Sequence, residues 1–253
     1  MSLYPDILFH FTKKQYLYKI LKQTFRISYA REKIIGPNEY REFAVPMVSF
    51  CDLKLSELKN HMEKYGNYGI GLTKEWANKN GLSPVMYINR NAQITDDLLG
   101  GLSGVYAHMS KINDLTELKK LNTSYVNIMN TYRYIKNYEG ELKRNGKIEN
   151  ENFRFADERE WRYVPKLRTE GVNPFVAISN IKTRKEKEFY NKKVSHINLS
   201  FEPDDIKYLI VENDDEIGEL IEHLESVKDR FDRETQNRLA SRILTSERIN
   251  KDI

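Results

Sequence analysis

Strand-like segments stand on both sides of a long helical stretch, and that arrangement constrains the fold more than any other feature of the chain. Between Thr95 and Tyr138, Leu98, Leu99, Leu102, Val105, Tyr106 and Met109 follow the helical period, and Tyr125, Ile128, Met129, Tyr132 and Ile135 repeat it. Gly140 and Gly146 end the pattern. Ile7-Leu8-Phe9-His10-Phe11 reads as a buried strand before it, and Phe153-Arg154-Phe155, Glu160 to Val164, Phe175 to Ile178 and Ile206 to Val211 read as strands after it. Helices bracketed in this way read as an insertion over 95–140 within one α+β domain spanning 1–253.

Local signals fill in the rest. Thr12 with Gln15 three residues on has capping-box spacing, and Leu17, Ile20, Leu21 and Thr24 share the face of the helix behind it. Phe25 to Tyr29 alternates as a half-buried strand. Residues 31–45, polar and containing Gly36-Pro37-Asn38, read as a mobile loop. A strand resumes from Val45 to Phe50. Asp52 and Ser56 are rival caps for a helix running to about Tyr65. Tyr68-Gly69-Ile70-Gly71-Leu72-Thr73 alternates large and small residues, so a backbone or a ligand can approach its glycine face. Thr73 caps a helix that stops at Gly81, and Pro84 to Ile88 forms another strand. From residue 214 to 253 the pattern is a C-terminal helical extension. Ile217, Leu220, Ile221, Leu224 and Val227 make one stripe, and Phe231, Leu239, Ile243 and Leu244 a sparser one. The charged tail after Phe231 is expected to be exposed or to bind a partner, and to be removable without loss of the fold.

Several function classes lose support. The single cysteine, Cys51, allows no intrachain disulfide. The first six residues, Met1-Ser2-Leu3-Tyr4-Pro5-Asp6, lack the basic and apolar regions of a secretory signal, and no apolar run approaches the ~18 residues of a membrane span. A cytoplasmic protein without membrane contact is expected. The chain has no Walker loop, His-Glu-x-x-His, Gly-x-Ser-x-Gly or zinc-spaced Cys/His cluster, and no metal is expected. A net charge of +4 permits nucleic acid as a partner without demanding it. The densest cluster, Lys182-Thr183-Arg184-Lys185-Glu186-Lys187, reads either as a solvated helix face or as a nucleic-acid contact.

The run Asp157-Glu158-Arg159-Glu160-Trp161-Arg162-Tyr163-Val164 carries the most chemistry. In a strand, Glu158, Glu160 and Arg162 share one face and Arg159, Trp161 and Tyr163 the other. That polar face is either an exposed set of cross-strand ion pairs or a cleft in which one carboxylate works, positioned by Arg162. His10 has two readings as well. It is a hydrogen-bonded core histidine, or a ligand-binding group beside a helix N-terminus that would favour a pyrophosphate.

Taken in order, these segments resemble a known family. The opening Phe9-His10-Phe11-Thr12 is followed by Tyr16-Leu17-Tyr18-Lys19-Ile20-Leu21 and Phe25-Arg26-Ile27-Ser28. Pro46-Met47-Val48-Ser49-Phe50-Cys51-Asp52, the segment Tyr65 to Trp76, Glu158-Arg159-Glu160-Trp161-Arg162 and Phe201-Glu202-Pro203-Asp204-Asp205-Ile206 complete the set. Together they resemble the AbiGi family of abortive-infection proteins over about residues 7–225, which implies a phage-defence protein whose partner is a toxin or effector protein. More distantly, the opening and the Glu158-x-Glu160 pair look like ADP-ribosyltransferase folds of the DarT kind. That likeness implies a mixed sheet of ADP-ribosyltransferase type and NAD as cofactor. It makes Glu160 the catalytic carboxylate and His10 the ribose-binding histidine, with Thr12, Ser28, Glu158 and Arg162 around the cofactor. Either Tyr29 or Tyr68 would be the central tyrosine, and Gly69-Ile70-Gly71 looks like a nicotinamide-side strand. Two functions stay open: an NAD-using transferase of phage defence, or a non-enzymatic antitoxin or regulator. The oligomeric state stays open too.

Overall fold

Glycines at every second place put two aromatic rings against the backbone of the central strand. In the computed structural model, which describes residues 5–144, 147–227 and 231–252, this strand spans Tyr68–Thr73. A Cβ on Gly69 would lie 2.9 Å from the Phe11 ring, and one on Gly71 2.8 Å from the Phe9 ring. The close approach expected on this face is thus made by Phe9 and Phe11, and the strand likened to a nicotinamide wall is covered by them.

The main sheet is built from β1 (Ile7–Thr12), β2 (Ser28–Ile35), β3 (Tyr40–Cys51), β4 (Tyr68–Thr73), β5 (Glu160–Tyr163), β6 (Ile206–Val211) and β7 (Ile243–Thr245). Its order is β7-β6-β4-β1-β3-β5, with the short strand Ser83–Pro84 beyond β5 and with β2 also pairing β3. β6 and β7 run parallel and the other pairs antiparallel, so the sheet is mixed and the fold is α+β. Helices α1 (Lys14–Gln23), α2 (Lys59–Tyr65), α3 (Lys74–Lys79), α4 (Gln93–Met109), α5 (Leu115–Thr131), α6 (Arg184–Lys193), α7 (Glu216–Ser226), α8 (Arg233–Ala240) and α9 (Ser246–Asp252) complete it. None among the described residues is long and apolar enough to cross a membrane.

Three apolar clusters hold these elements. The largest joins Leu17 and Leu21 of α1, Trp76 of α3 and Leu220 and Leu224 of α7 to Leu8, Phe50, Ile70 and Leu209 of the sheet. A second packs Leu99 and Leu102 of α4 on Ile34, Phe43 and Val45. A third packs Met62 of α2 and Ile249 of α9 on Phe9, Phe11 and Cys51.

The structure corrects several local expectations. Residues 31–45 are not a loop but most of the β2–β3 hairpin, in register from Ser28↔Met47 to Ile35↔Tyr40. Its outward residues are mostly charged, among them Arg31, Lys33, Arg41 and Glu42, which hides the buried partners Ile34, Phe43 and Val45. Only Gly36-Pro37-Asn38 turns, and the Asp96 carboxylate of α4 holds that tip by accepting 2.7 Å from the Asn38 side chain. Thr12 stays in β1 opposite Tyr68, and Lys13 takes the N-cap position of α1. Neither Asp52 nor Ser56 caps α2, which follows Leu58 after a 3₁₀ turn over Leu55–Glu57. The Asp52 carboxylate pairs with Lys74 at 2.7 Å. Thr73 does cap α3, accepting from the Trp76 N–H at 3.1 Å. Phe153 ends a separate hairpin (Gly140–Arg144 with Lys147–Phe153), and Phe155 opens a 3₁₀ turn rather than continuing a strand. Pro84 to Ile88 is divided between two sheets. Gly146 lies outside the described residues.

The tail differs most. Residues 214–253 are not helical throughout, because Ile243–Thr245 pairs in parallel with Leu209–Val211 at the sheet edge. Phe231 and Leu239 are wholly buried, and Ile249 is 2% exposed. The sparse apolar positions of the tail are therefore its anchors in the core.

Candidate functional site

At Phe9↔Cys51 β1 touches β3, and pairing of β2 with β3 begins at Ser28↔Met47. Between these two registers the His10 imidazole reaches across and bonds the Ser49 carbonyl through Nδ1 at 2.8 Å. Its ring stands edge-on to Phe25, with centroids 5.3 Å apart, and tilted against Phe50 at 5.6 Å. Burial holds the imidazole pKa down, and the Ser49 bond only partly opposes this. His10 is a hydrogen-bonded, neutral histidine at a split in the sheet.

On the other edge of β3, Glu160 pairs with Cys51 and Arg162 with Ser49. Register thus places Phe9, Cys51 and Glu160 in one row across three strands, on a shared face. Glu158 reaches this region from outside the strand. It belongs to a 3₁₀ turn, and the next residue, Arg159, takes the left-handed conformation at φ 43° and ψ 53°. The expected face of three alternating side chains is therefore corrected: Glu160 and Arg162 alternate, and a turn delivers Glu158. Such a conformation costs on the order of 1 kcal/mol for a residue with a side chain. Two bonds from the Arg159 guanidinium to Glu57, at 2.9 and 3.0 Å, hold it.

These residues form a chain of charges. Arg162, wholly buried, bonds both oxygens of Glu160 at 2.7 and 3.1 Å, pairs with Glu32 at 3.0 Å and donates to the Arg133 carbonyl at 3.0 Å. Lys136 donates to Glu160 at 2.9 Å and to Glu158 at 3.3 Å, and the Tyr65 hydroxyl donates to Glu158 at 2.5 Å. Burial works against the Glu160 charge. Arg162 and Lys136 outweigh it and hold the carboxyl well below the usual carboxylate range. Burial likewise opposes the charge of Lys136, and Glu160 and Glu158 raise it well above the ordinary lysine value. Because Lys136 and Arg133 follow α5 directly, the network also ties the end of the helical insertion to the sheet.

Two adjoining cavities open here. One, of about 210 Å³, is lined by His10, Ser49, His61, Lys136, Glu158 and Glu160 among others. The second, of about 440 Å³, is lined by Thr12, Lys19, Arg26 and Ser28, and shares His10, Ala30, Met47 and Ser49 with the first. The structure thus brings His10, Glu158 and Glu160 to one cavity and Thr12 and Ser28 to its neighbour. Arg162 lies behind Glu160, sealed from solvent. Both candidate tyrosines fall elsewhere. Tyr29 is buried with its hydroxyl on the Asn173 carbonyl at 2.7 Å, and Tyr68 donates to Glu216 at 2.8 Å and Glu212 at 3.1 Å. Neither is a central tyrosine of this cleft, because each hydroxyl is drawn to an acceptor outside it.

Lys136, Glu32, Ser49, Tyr65 and His61 escaped the sequence reading. Glu32 lay in the stretch read as loop, and Lys136 in the stretch read as helix. Only the pairing of distant strands brings them together.

Acid should weaken the fold through this site. Burial, reinforced by Lys64, His10 and Lys136, pushes the His61 pKa from 6.5 to about 3, against a smaller pull from Glu160. The unfolded chain takes up a proton near 6.5 and the folded one does not until about 3. Stability is thus full above 6.5 and falls as pH drops through that window. His10 acts in the same direction. Each group contributes up to about 1.4 kcal/mol per pH unit. Urea unfolding between pH 7 and 5 should show this slope, and His61→Asn should reduce it by about half.

A mixed-sheet α+β protein with a buried network of carboxylates and cations beneath a divided cleft is thereby defined. The family model described as "Putative abortive phage resistance protein AbiGi, antitoxin" matches residues 19–212, so the chain belongs to the AbiGi family. It is 28% identical over 229 residues to the "Abortive phage resistance protein AbiGi" of Lactococcus lactis subsp. cremoris, an alignment covering 84% of this chain and 90% of that protein. No solved structure matches.

Proposed function

We propose that this chain acts in phage defence as an antitoxin that binds and restrains a partner toxin protein, with Glu160 serving the fold rather than a reaction. One observation carries the second half of this reading. A carboxylate offers about four acceptor positions, and four donors approach those of Glu160: Ser49 Oγ and Arg162 Nε on Oε1, and Lys136 Nζ and an Arg162 terminal nitrogen on Oε2. A carboxylate that stabilises an oxocarbenium-like ribose must face the sugar with its charge unspent. Here two cations neutralise it within the protein. The family description supports the first half, since an antitoxin implies a toxin to bind.

One feature favours the transferase reading. His10 and Ser49 join the two cavities into a cleft that carries Lys19 and Arg26 at one end and Glu160 at the other, a polarity suited to a dinucleotide. Growth rescue separates the two. In cells arrested by the cognate toxin, the wild-type chain should restore growth, and Glu160→Gln should restore it in proportion to the folded protein recovered. Failure of the wild-type chain to restore growth would overturn the antitoxin reading, and full loss of rescue by a Glu160→Gln protein that is folded and abundant would overturn the structural role of Glu160.

A further inference from the structure

The net positive charge of this protein matches that of one segment, helix α6 with the two residues before it. Residues 182–193 hold six Lys or Arg against Glu186 and Glu188, a charge of +4. That equals the net charge of the whole chain, so the remaining residues balance at thirty-five of each sign. Helix α6 is firmly seated. Thr183 and Glu186 form a capping box at its start, and Ile181 and Val194 are buried at its two ends. Within it, the Asn191 side chain accepts from the Tyr29 N–H at 2.9 Å. The opposite face is open. Lys185, Phe189 and Lys192 recur at the i, i+4, i+7 spacing of one helical stripe, and all three are exposed, with Lys193 beside them. Phe189 is 56% exposed, and the Lys193 ammonium lies 4.7 Å from the centre of its ring. The ring meets Tyr190 edge-on, with centroids 5.4 Å apart, and more than half of it faces water.

We infer that this face of α6 binds single-stranded nucleic acid, with Phe189 stacking on a base and Lys185, Lys192 and Lys193 meeting the flanking phosphates. Single-strand binders combine basic tracks with aromatic platforms in this way, and they do so without reading sequence. At about 1.5 Å rise per residue, Lys185 and Lys192 stand about 10 Å apart, room for one stacked base between two phosphates. A membrane surface fits less well, because an interfacial helix inserts a broad apolar face, and α6 offers only Phe189 and Tyr190 among charged and polar residues.

Fluorescence anisotropy with labelled 20-nucleotide single-stranded RNA, single-stranded DNA and duplex DNA, at 50 and 200 mM salt, tests this. Both single strands should bind in preference to duplex, and binding should weaken with salt. Lys185→Gln, Lys192→Gln and Lys193→Gln combined should flatten the log–log salt slope by about 2, from a loss of about 0.7 per phosphate contact. Phe189→Ala should weaken binding about tenfold at either salt. All four positions are exposed, so circular dichroism should show these variants folded. The inference fails if the strands do not bind at 50 mM salt, if duplex binds equally well, or if the variants bind like wild type. It also fails if anionic phosphatidylserine vesicles, and not oligonucleotides, lose binding in the variants.

Discussion

Ending the chain at residue 230 should leave little or no soluble protein. The removed segment holds Phe231 and Leu239, both wholly buried, and Ile249, which packs with Phe9, Phe11 and Met62. Burying each such side chain is worth about 1.5–3 kcal/mol, so their loss alone approaches the whole stability of an ordinary domain, about 5–15 kcal/mol. The cut also strips β7 from β6, exposing the backbone of Leu209–Val211 as a hydrophobic sheet edge, a template for aggregation. Removal of α9 alone, by ending after Thr245, should be milder, since β7 and α8 remain. Soluble yield and thermal unfolding of the two truncations measure this, and a soluble, cooperatively folding 1–230 chain would show that the tail is dispensable.

The second large effect concerns the charges behind the cleft. Arg162→Met should destabilise the protein by about 3–5 kcal/mol, because Glu160 and Glu32 would keep their buried charges without the guanidinium between them. Glu160→Gln should cost somewhat less, about 3 kcal/mol, since Glu32 still faces Arg162 and Glu158 still faces Lys136. Removing both partners at once, as Glu160→Leu with Arg162→Met, should cost less than the two single changes added together. Urea unfolding at pH 7 reads all three. Lowering the pH of the wild type imitates Glu160→Gln: the carboxyl is held below its ordinary 4.5, so its contribution is complete above that value and drains away as pH falls beneath it.

How much of this was legible in the sequence differed from element to element, for physical reasons. The strands Tyr68–Thr73 and Ile206–Val211 were read at their observed bounds, because each is a short apolar run closed by a cap or a turn signal. The two insertion helices were legible from their period as far as Thr131, beyond which the expected helix is corrected, because Ile135–Asn137 pairs in parallel with Met86–Ile88 as a strand; the Thr73 cap was legible too. The β2–β3 hairpin was not, because the exposed charges Arg31, Lys33, Arg41 and Glu42, spread over both faces, mask the alternation of Ile34, Phe43 and Val45 that packs on α4. Ile243–Thr245 is three residues long, too short for a period of two to stand out against the helical stripe around it. The importance of Glu160 and Arg162 was visible as charge in a segment that wants burial. Their true partners, Lys136, Glu32 and Ser49, were not, because nothing local records which strands meet. Glu158 was assigned to the strand because a left-handed arginine carries no sequence signature.

The measurement closest to the central claim is nicotinamide release. Purified wild-type chain and Glu160→Gln, each shown folded, are incubated with NAD, and free nicotinamide is followed by mass spectrometry. If Glu160 is a counter-ion of the fold, both samples should release no more nicotinamide than buffer alone. Release by the wild type that falls about 10²–10³-fold in a folded Glu160→Gln protein, the loss expected when transition-state electrostatics is removed, would contradict the account and return Glu160 to catalysis.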